Sequence, residues 1–327
     1  MFAAIMYLFK KYRLECRALP RGYYHFCTDG WKEGLLFNND KQYAAGMTSI
    51  ALMTLNFNLA IYGFVLMPNH VHIVLSGNGA ECIKAFDLLT RRCSLMLRKD
   101  GNKHLPRNYG FKLVSIDSVE SFKTHLLYLA RNPYEKGLCS PGCYLWGSDY
   151  LIYNQFSDII RGESMENMPK RELCKLLSCD IRHLPQDWEV HPKLGILPRN
   201  YVKIKKVGDL FSSPKEYYTR LVKDYESFVH ISHSLEEDIV LSPHEINDII
   251  YMESGKSFPG KLVKELTPTE KLRLASSIAH KYGIQAEQLS GPLRLNAKLI
   301  NQAITSKDYN RNAATNKKPV NVGGEEL

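Results

Sequence analysis

The chain has 327 residues, 44% of them hydrophobic, with a formal net charge of +9 and a pI of about 9.0. That length allows two modest domains or one large one with a sizeable core, and the positive balance suits a polyanionic partner. A membrane protein and a zinc ribbon are both excluded. No stretch is long and apolar enough to span a bilayer, and the eight cysteines form no paired CxxC units. Cys139 and Cys143 lie four apart, without a second pair or a histidine at zinc-site spacing. The cysteines read as reduced thiols of a cytoplasmic protein. Met1 to Phe9 is apolar but short, and Lys10, Lys11 and Arg13 follow it, the reverse of a secretory signal's charge order. It reads as a lead-in segment.

In chain order, residues 22 to 29 are aromatic-rich and end at Asp29-Gly30, which predicts a strand and a turn. Asp40 is the expected cap of a helix to about Leu55, with Tyr43, Met47, Ile50 and Ala51 on one face. Leu59 to Met67 is a strongly apolar strand, Pro68-Asn69 a turn, and His70 to Ser76 a second strand, so the pair predicts an antiparallel hairpin. A helix follows over Glu81 to Lys99, with Phe86, Leu89, Cys93 and Met96 at helical spacing. Phe111 to Ile116 is a strand. Asp117 and Glu120 form a capping-box pair for the next helix, and Pro133 predicts its end near Asn132. The order strand, helix, strand, strand, helix, strand, helix predicts an α+β first domain over residues 1–155, a ferredoxin-like antiparallel sheet with its helices on one face.

Beyond it, residues 156–240 read as a connector with short helices, among them Pro214 to Val229. Residues 241–305 read as a helical domain. Thr267-Pro268-Thr269-Glu270 is a strong helix start, combining an N-cap, a proline in the first turn and a capping glutamate, and that helix should stop at Gly283. Short helices are expected over Gln285 to Leu289 and Pro292 to Ile304. Residues 306–327 have the composition of a disordered tail.

Two features can carry chemistry. On a strand, His70 and His72 project side by side, and neutral imidazoles bind divalent metals. Two histidines satisfied by their neighbours in a core would give the same triplet. Tyr128 and Asn132 lie four apart on a helix and so share a face. A phenol there can attack a phosphodiester, provided a metal or base helps remove a proton with a pKa near 10. The chain has 19 tyrosines, and a helical tyrosine usually only packs.

Taken together, the two features carry a resemblance. Met67-Pro-Asn-His70-Val-His72-Ile-Val-Leu75 resembles the histidine–hydrophobic–histidine strand of single-tyrosine (HUH) transposases. Tyr128-Leu-Ala-Arg-Asn132-Pro133, followed by Gly137, resembles the tyrosine helix of the REP-associated tyrosine transposases. Tyr144, Trp146, Ser148 and Tyr150 are similar to the aromatic-serine segment that follows it. The resemblance covers roughly residues 20 to 155. It implies an HUH nuclease fold and a bacterial, nucleoid-associated setting. His70 and His72 would hold Mg²⁺ or Mn²⁺, with Asn132 as third ligand or supporting group. Tyr128 would be the nucleophile of a 5′-phosphotyrosine intermediate, on single-stranded DNA beside hairpins. A homodimer, with the tyrosine acting in cis or in trans, stays open. The chain departs from the family pattern at Tyr134, at Glu135-Lys136 and at Gly147, where a serine is usual, and in its long extension.

Arg91, Arg92, Arg98, Lys99 and Lys103 are candidate phosphate contacts, or an ordinary solvated helix face. Tyr23, Tyr24 and Phe26 offer either stacking surfaces for bases or core. Ala275, Ile278, Ala279, Tyr282, Gly283, Ile284 and Leu289 resemble a helix-turn-helix, similar to the DNA-binding domain of the bacterial replication initiator, although Gly291-Pro292 interrupts it. The leading expectation is a DNA-nicking and rejoining enzyme. The alternative is a domesticated, non-catalytic binder of hairpin DNA. A phosphoesterase for small molecules does not account for the Tyr128 signature.

Overall fold

The computed structural model describes residues 15–32, 34–99, 101, 104–106, 108–154, 159–237 and 241–305. The expected lead-in segment, the expected tail and Lys103 lie outside the described residues. The chain divides into two units, one running to Asp224 with Ser234–Glu236 added, the other comprising Tyr225–His233 and the chain from Glu237 onward.

The first unit is built on β1 (Gly22–Thr28), α1 (Asp40–Asn56), β2 (Ala60–Leu66), β3 (Val71–Gly77), α2 (Gly79–Lys99), β4 (Phe111–Ile116) and α3 (Val119–Glu135). The four strands form an antiparallel sheet in the order β2-β3-β1-β4. Cα partners on β1 and β3 place His25 opposite Val74 and Cys27 opposite His72. Because side chains alternate along a strand, His25, His72 and Val74 share one face of the sheet, and Phe26, Ile73 and Leu75 the other.

β2 and β3 are buried at almost every position, the mark of a sheet covered on both sides. Phe26, Phe64, Ile73 and Leu75 pack with Met47 and Ile50 of α1 and Phe86 and Leu89 of α2. On the opposite face Val65, Val74 and Ile116 pack with Phe122, Leu126 and Leu129 of α3. Each such large side chain contributes roughly 1.5–3 kcal/mol when fully buried. The expectation that the helices lie on one face therefore holds for α1 and α2 and fails for α3. Both faces of the central strands are apolar, and each needs a cover.

Local signals shift several boundaries. Asn39, not Asp40, caps α1, accepting from the Gln42 backbone N–H at 3.0 Å. Ser118 caps α3 in place of the Asp117–Glu120 pair, accepting from the Ser121 N–H at 3.1 Å. α3 continues past Asn132 to Glu135 with Pro133 inside it. The turn closes beyond the proline, where Lys136 N–H donates to the Asn132 carbonyl and Leu138 N–H to that of Pro133.

The segment expected to be a connector belongs largely to the first unit's core. It contains β5 (Glu163–Ser164), α4 (Lys170–Leu177), β6 (Glu189–His191), β7 (Gly195–Ile196), α5 (Ile204–Gly208) and α6 (Pro214–Lys223). Met165, Leu173, Leu177, Val190, Ile196 and Tyr201 join the hydrophobic cluster on the α1 side. Their apolar surface is buried there, which is why no boundary falls near residue 155. The single helix expected over Pro214 to Val229 is interrupted at Asp224, whose ψ of 55 leaves the helical range.

The second unit is helical: α7 (Tyr225–Leu235, its last two residues in the first unit), α8 (Pro243–Ser257), α9 (Pro268–Tyr282), α10 (Ala286–Leu293) and α11 (Ala297–Thr305). Thr267 and Glu270 form the expected capping box, and Gly283 ends α9 at φ 66, a left-handed conformation that suits glycine. The break after α10 falls at Arg294, with φ 55, two residues beyond Pro292, so the last helix starts at Ala297 rather than Pro292. Ala275, Ile278, Leu289 and Ile300 share the core of this unit.

Candidate active site

His72 sits on β3, and His70 stands just ahead of it in the hairpin turn, where Met67 N–H donates to the His70 carbonyl at 2.9 Å. The two ring centroids are 4.7 Å apart, edge to face. The strand alternation thus brings the pair together although only one of them is on the strand proper.

α3 delivers Tyr128 to the same place. Its ring lies 5.7 Å, centroid to centroid, from that of His72 and 5.9 Å from that of His25. Phe122, Leu126 and Leu129 hold this helix on the sheet, and that packing fixes which of its faces meets the histidines. Asn132, one turn further on, donates from Nδ2 to the Tyr128 carbonyl at 2.9 Å. The cluster is closed to solvent: relative exposure is 8% for His70, 0% for His72, 4% for Tyr128 and 6% for Asn132.

Two more histidines complete it, and sequence reasoning had passed over both. His25 Nε2 is hydrogen-bonded to His72 Nδ1 at 3.0 Å, and His25 Nδ1 to His125 Nδ1 at 2.8 Å. A signal for His125 was present in the sequence. His125, Tyr128 and Asn132 are spaced three and four apart, so they fall on one face of α3. His25 gave no comparable signal, because its link to His72 is a cross-strand register that only the folded sheet sets.

Burial keeps His25 and His72 neutral. Burial, with the neighbouring His125 and His72 adding to it, holds the acid form of His25 well below the usual histidine range. Burial pushes His72 down to about 3. His70 Nδ1–H donates to Asn69 Oδ1 at 2.7 Å, and Asn69 Nδ2 donates to the Trp31 carbonyl at 3.4 Å, which orients the amide. His70 Nδ1 therefore carries a proton, and in the neutral ring the lone pair is on Nε2. A ligating histidine is commonly held this way, through a hydrogen bond from its other nitrogen. Two imidazoles held through Nδ1 fit a divalent cation.

No family model matches the sequence, and no curated protein matches it. One solved structure is similar. It is that of a REP-associated tyrosine transposase bound to a REP hairpin, 14% identical, covering 42% of this chain and 84% of that chain, with a TM-score of 0.36. This is a distant structural likeness and not membership of a family.

The aromatic-serine segment does structural work beside the site. Tyr144 Oη donates to the Leu66 carbonyl at 2.8 Å, Leu66 N–H to the Trp146 carbonyl at 2.8 Å, and Phe64 N–H to Ser148 Oγ at 3.0 Å. It thereby covers Phe64 to Leu66 of the edge strand β2, whose backbone would otherwise stay unpaired there. The glycine at 147 is explained by close approach: a Cβ there would sit 2.8 Å from the Phe64 carbonyl oxygen. Glu135 has a local role too, within 3.8 Å of Arg131 and 3.6 Å of Lys136.

Among the described residues, the basic candidates are not brought to the histidines. α2 packs on the opposite face of the sheet. Arg91 is exposed and donates to the Asp87 carbonyl at 3.0 Å. Arg98 and Lys99 are exposed at the end of α2. Arg92 is a clamp, donating to Ser49 Oγ at 2.7 Å and to the Leu177 carbonyl at 3.1 Å. Among the candidate stacking residues, Tyr24 and Phe26 are core, and Tyr23 is 42% exposed.

Proposed function

We propose that this chain is a DNA-processing enzyme that nicks and rejoins single strands beside hairpins, with Tyr128 as nucleophile. The observation that carries the reading is the convergence of His70, His72 and Tyr128 from separate elements on one face of the sheet. Strand order β2-β3-β1-β4 supports reading that sheet as ferredoxin-like.

In the reaction, the Tyr128 phenolic oxygen forms a bond to phosphorus and the bond to the 3′-oxygen breaks. The products are a 5′-phosphotyrosine and a 3′-hydroxyl. A 3′-hydroxyl from another end reverses the step, so phosphate-bond energy is conserved without a nucleotide cofactor. His70 and His72 would hold the divalent cation, with Asn132 as third ligand or as the residue that steadies the Tyr128 turn. When bound, the cation would neutralise charge on the non-bridging oxygens. A donor set dominated by imidazole favours Mn²⁺ over Mg²⁺. The strand can reach Tyr128 only when the closed cluster opens. In the second unit, α11 exposes Lys298, Asn301 and Gln302, side chains suited to phosphate and base-edge contacts with duplex DNA. The helix-turn-helix resemblance of Ala275 to Leu289 falls on α9 and α10, and we read that pair as a DNA-binding element beside them.

The same burial favours a second reading, a non-catalytic binder of hairpin DNA. The two separate in one experiment. End-labelled single-stranded hairpins from the flanks of the chain's own gene are incubated with the protein and Mn²⁺. A covalent adduct that is lost in Tyr128→Phe and on chelation is the expected result. Binding without an adduct, over a panel of hairpins and both metals, would establish the binder.

A further inference from the structure

Three buried imidazoles lie in a hydrogen-bonded row, His72–His25–His125, linking β3, β1 and α3. The central ring uses both of its nitrogens, at 3.0 and 2.8 Å. A neutral imidazole has one donor and one acceptor nitrogen. Only two proton orders then satisfy the row. In the first, His72 Nδ1–H donates to His25 Nε2, and His25 Nδ1–H donates to His125 Nδ1, which leaves the third proton on His125 Nε2. In the second, every donor and acceptor is reversed, and His72 carries its proton on Nε2.

These orders differ at the nitrogen that matters. A cation can bind His72 Nε2 only where that atom holds a lone pair, which is the first order. In neutral His70 the lone pair is on Nε2, because Nδ1–H donates to Asn69. We propose that His25 and His125 are positioning residues that hold His72 as its Nδ1–H tautomer, so that both histidines of the pair present Nε2 to the same cation. This rests on the cation site proposed above. The row has a second consequence. His125 lies one turn before Tyr128 on α3, so the bonds that set the ligand's tautomer also set the position of the nucleophile's helix against the sheet.

The test begins with the unaltered protein. Long-range ¹⁵N–¹H imidazole spectra are recorded with and without saturating Mg²⁺, a diamagnetic ion. With the cation bound, His72 and His25 should both be Nδ1–H and His125 should be Nε2–H. Finding His25 as Nε2–H while the cation is on His72 overturns the proposal, whatever any variant does. Mn²⁺ affinity measured by calorimetry gives an independent readout. His25→Leu removes the acceptor and should weaken binding by about 10- to 100-fold. His25→Gln keeps one acceptor and one donor and should bind within a few-fold of the original protein. If His72→Ala loses the cation but His25→Leu binds it as tightly as before, the row has no positioning role and the site itself stands. If His72→Ala binds as the original protein does, or the original protein binds no cation, the site reading fails and the positioning role with it.

Discussion

Tyr128 of α3 and His72 of β3 meet edge to face, with ring centroids 5.7 Å apart and planes at 81°. The contact joins the two motifs that carry the functional reading, and it is made beneath the surface, with His72 at 0% exposure and Tyr128 at 4%. The cluster is thus part of the core as well as a candidate site, and the fold's stability reports on it.

Acid should destabilise the protein through the buried imidazoles. Unfolded histidines take a proton near 6.5, whereas His72 resists until about 3 and His25 is held well below its usual range. Below 6.5 the unfolded chain binds protons that the native state does not, so the contribution is complete above 6.5 and is lost as pH falls toward 3. The slope approaches roughly 1.4 kcal/mol per pH unit for each such group. Asp149 opposes this. Burial raises its carboxyl to about 6, so between 3.8 and 6 the native state is the better proton acceptor there. Urea midpoints of the metal-free protein should fall between pH 6.5 and 4.5, and fall more steeply in Asp149→Asn. A flat profile would contradict the burial of neutral imidazoles.

The Asp149 carboxylate accepts a hydrogen bond from Tyr217 Oη, which partly offsets the effect of burial on its acidity. Removing the donor penalises the charged form. Tyr217→Phe should therefore move the Asp149 carboxyl further above 6 and cost more stability at pH 8 than at pH 5. Carboxyl ¹³C titration and paired urea melts read the two effects. Equal losses at both pH values would show that the hydroxyl does not act on the carboxylate.

Arg131 is 1% exposed and donates from Nη1 to the Leu221 and Val222 carbonyls at 3.2 and 3.3 Å, tying α3 to the end of α6. Hydrogen bonds from a charged group contribute roughly 1.5–3 kcal/mol. Arg131→Leu should lower unfolding free energy by about 2–4 kcal/mol, because two carbonyls lose their donor and Glu135 loses a neighbouring cation. A denaturant melt in which the variant matches the original protein would exclude the clamp.

Much of the first unit could be read directly. Phe111 to Ile116 is β4 at the expected residues, and α9 begins at its Thr267–Glu270 box and ends at Gly283. These signals are local, arising from alternation, side chains that bond their own backbone, and a left-handed residue that suits glycine. Pro133 misled for an instructive reason. A proline inside a helix loses its own N–H bond and crowds the carbonyl four residues before it, yet the turn beyond it still found carbonyl partners.

The sequence by itself determined that His70 and His72, two residues apart at the start of β3, project side by side, and that Tyr128 and Asn132 share a helix face. Those relations follow from repeat geometry over a few residues. Only the tertiary structure decided that α3 covers the histidine face, that residues beyond 155 complete the α1 side of the core, and that His25 and His125 extend the pair into a row. Each of these depends on which surface a whole element buries and in what register strands pair. Those are collective properties of packing that no short window of residues contains.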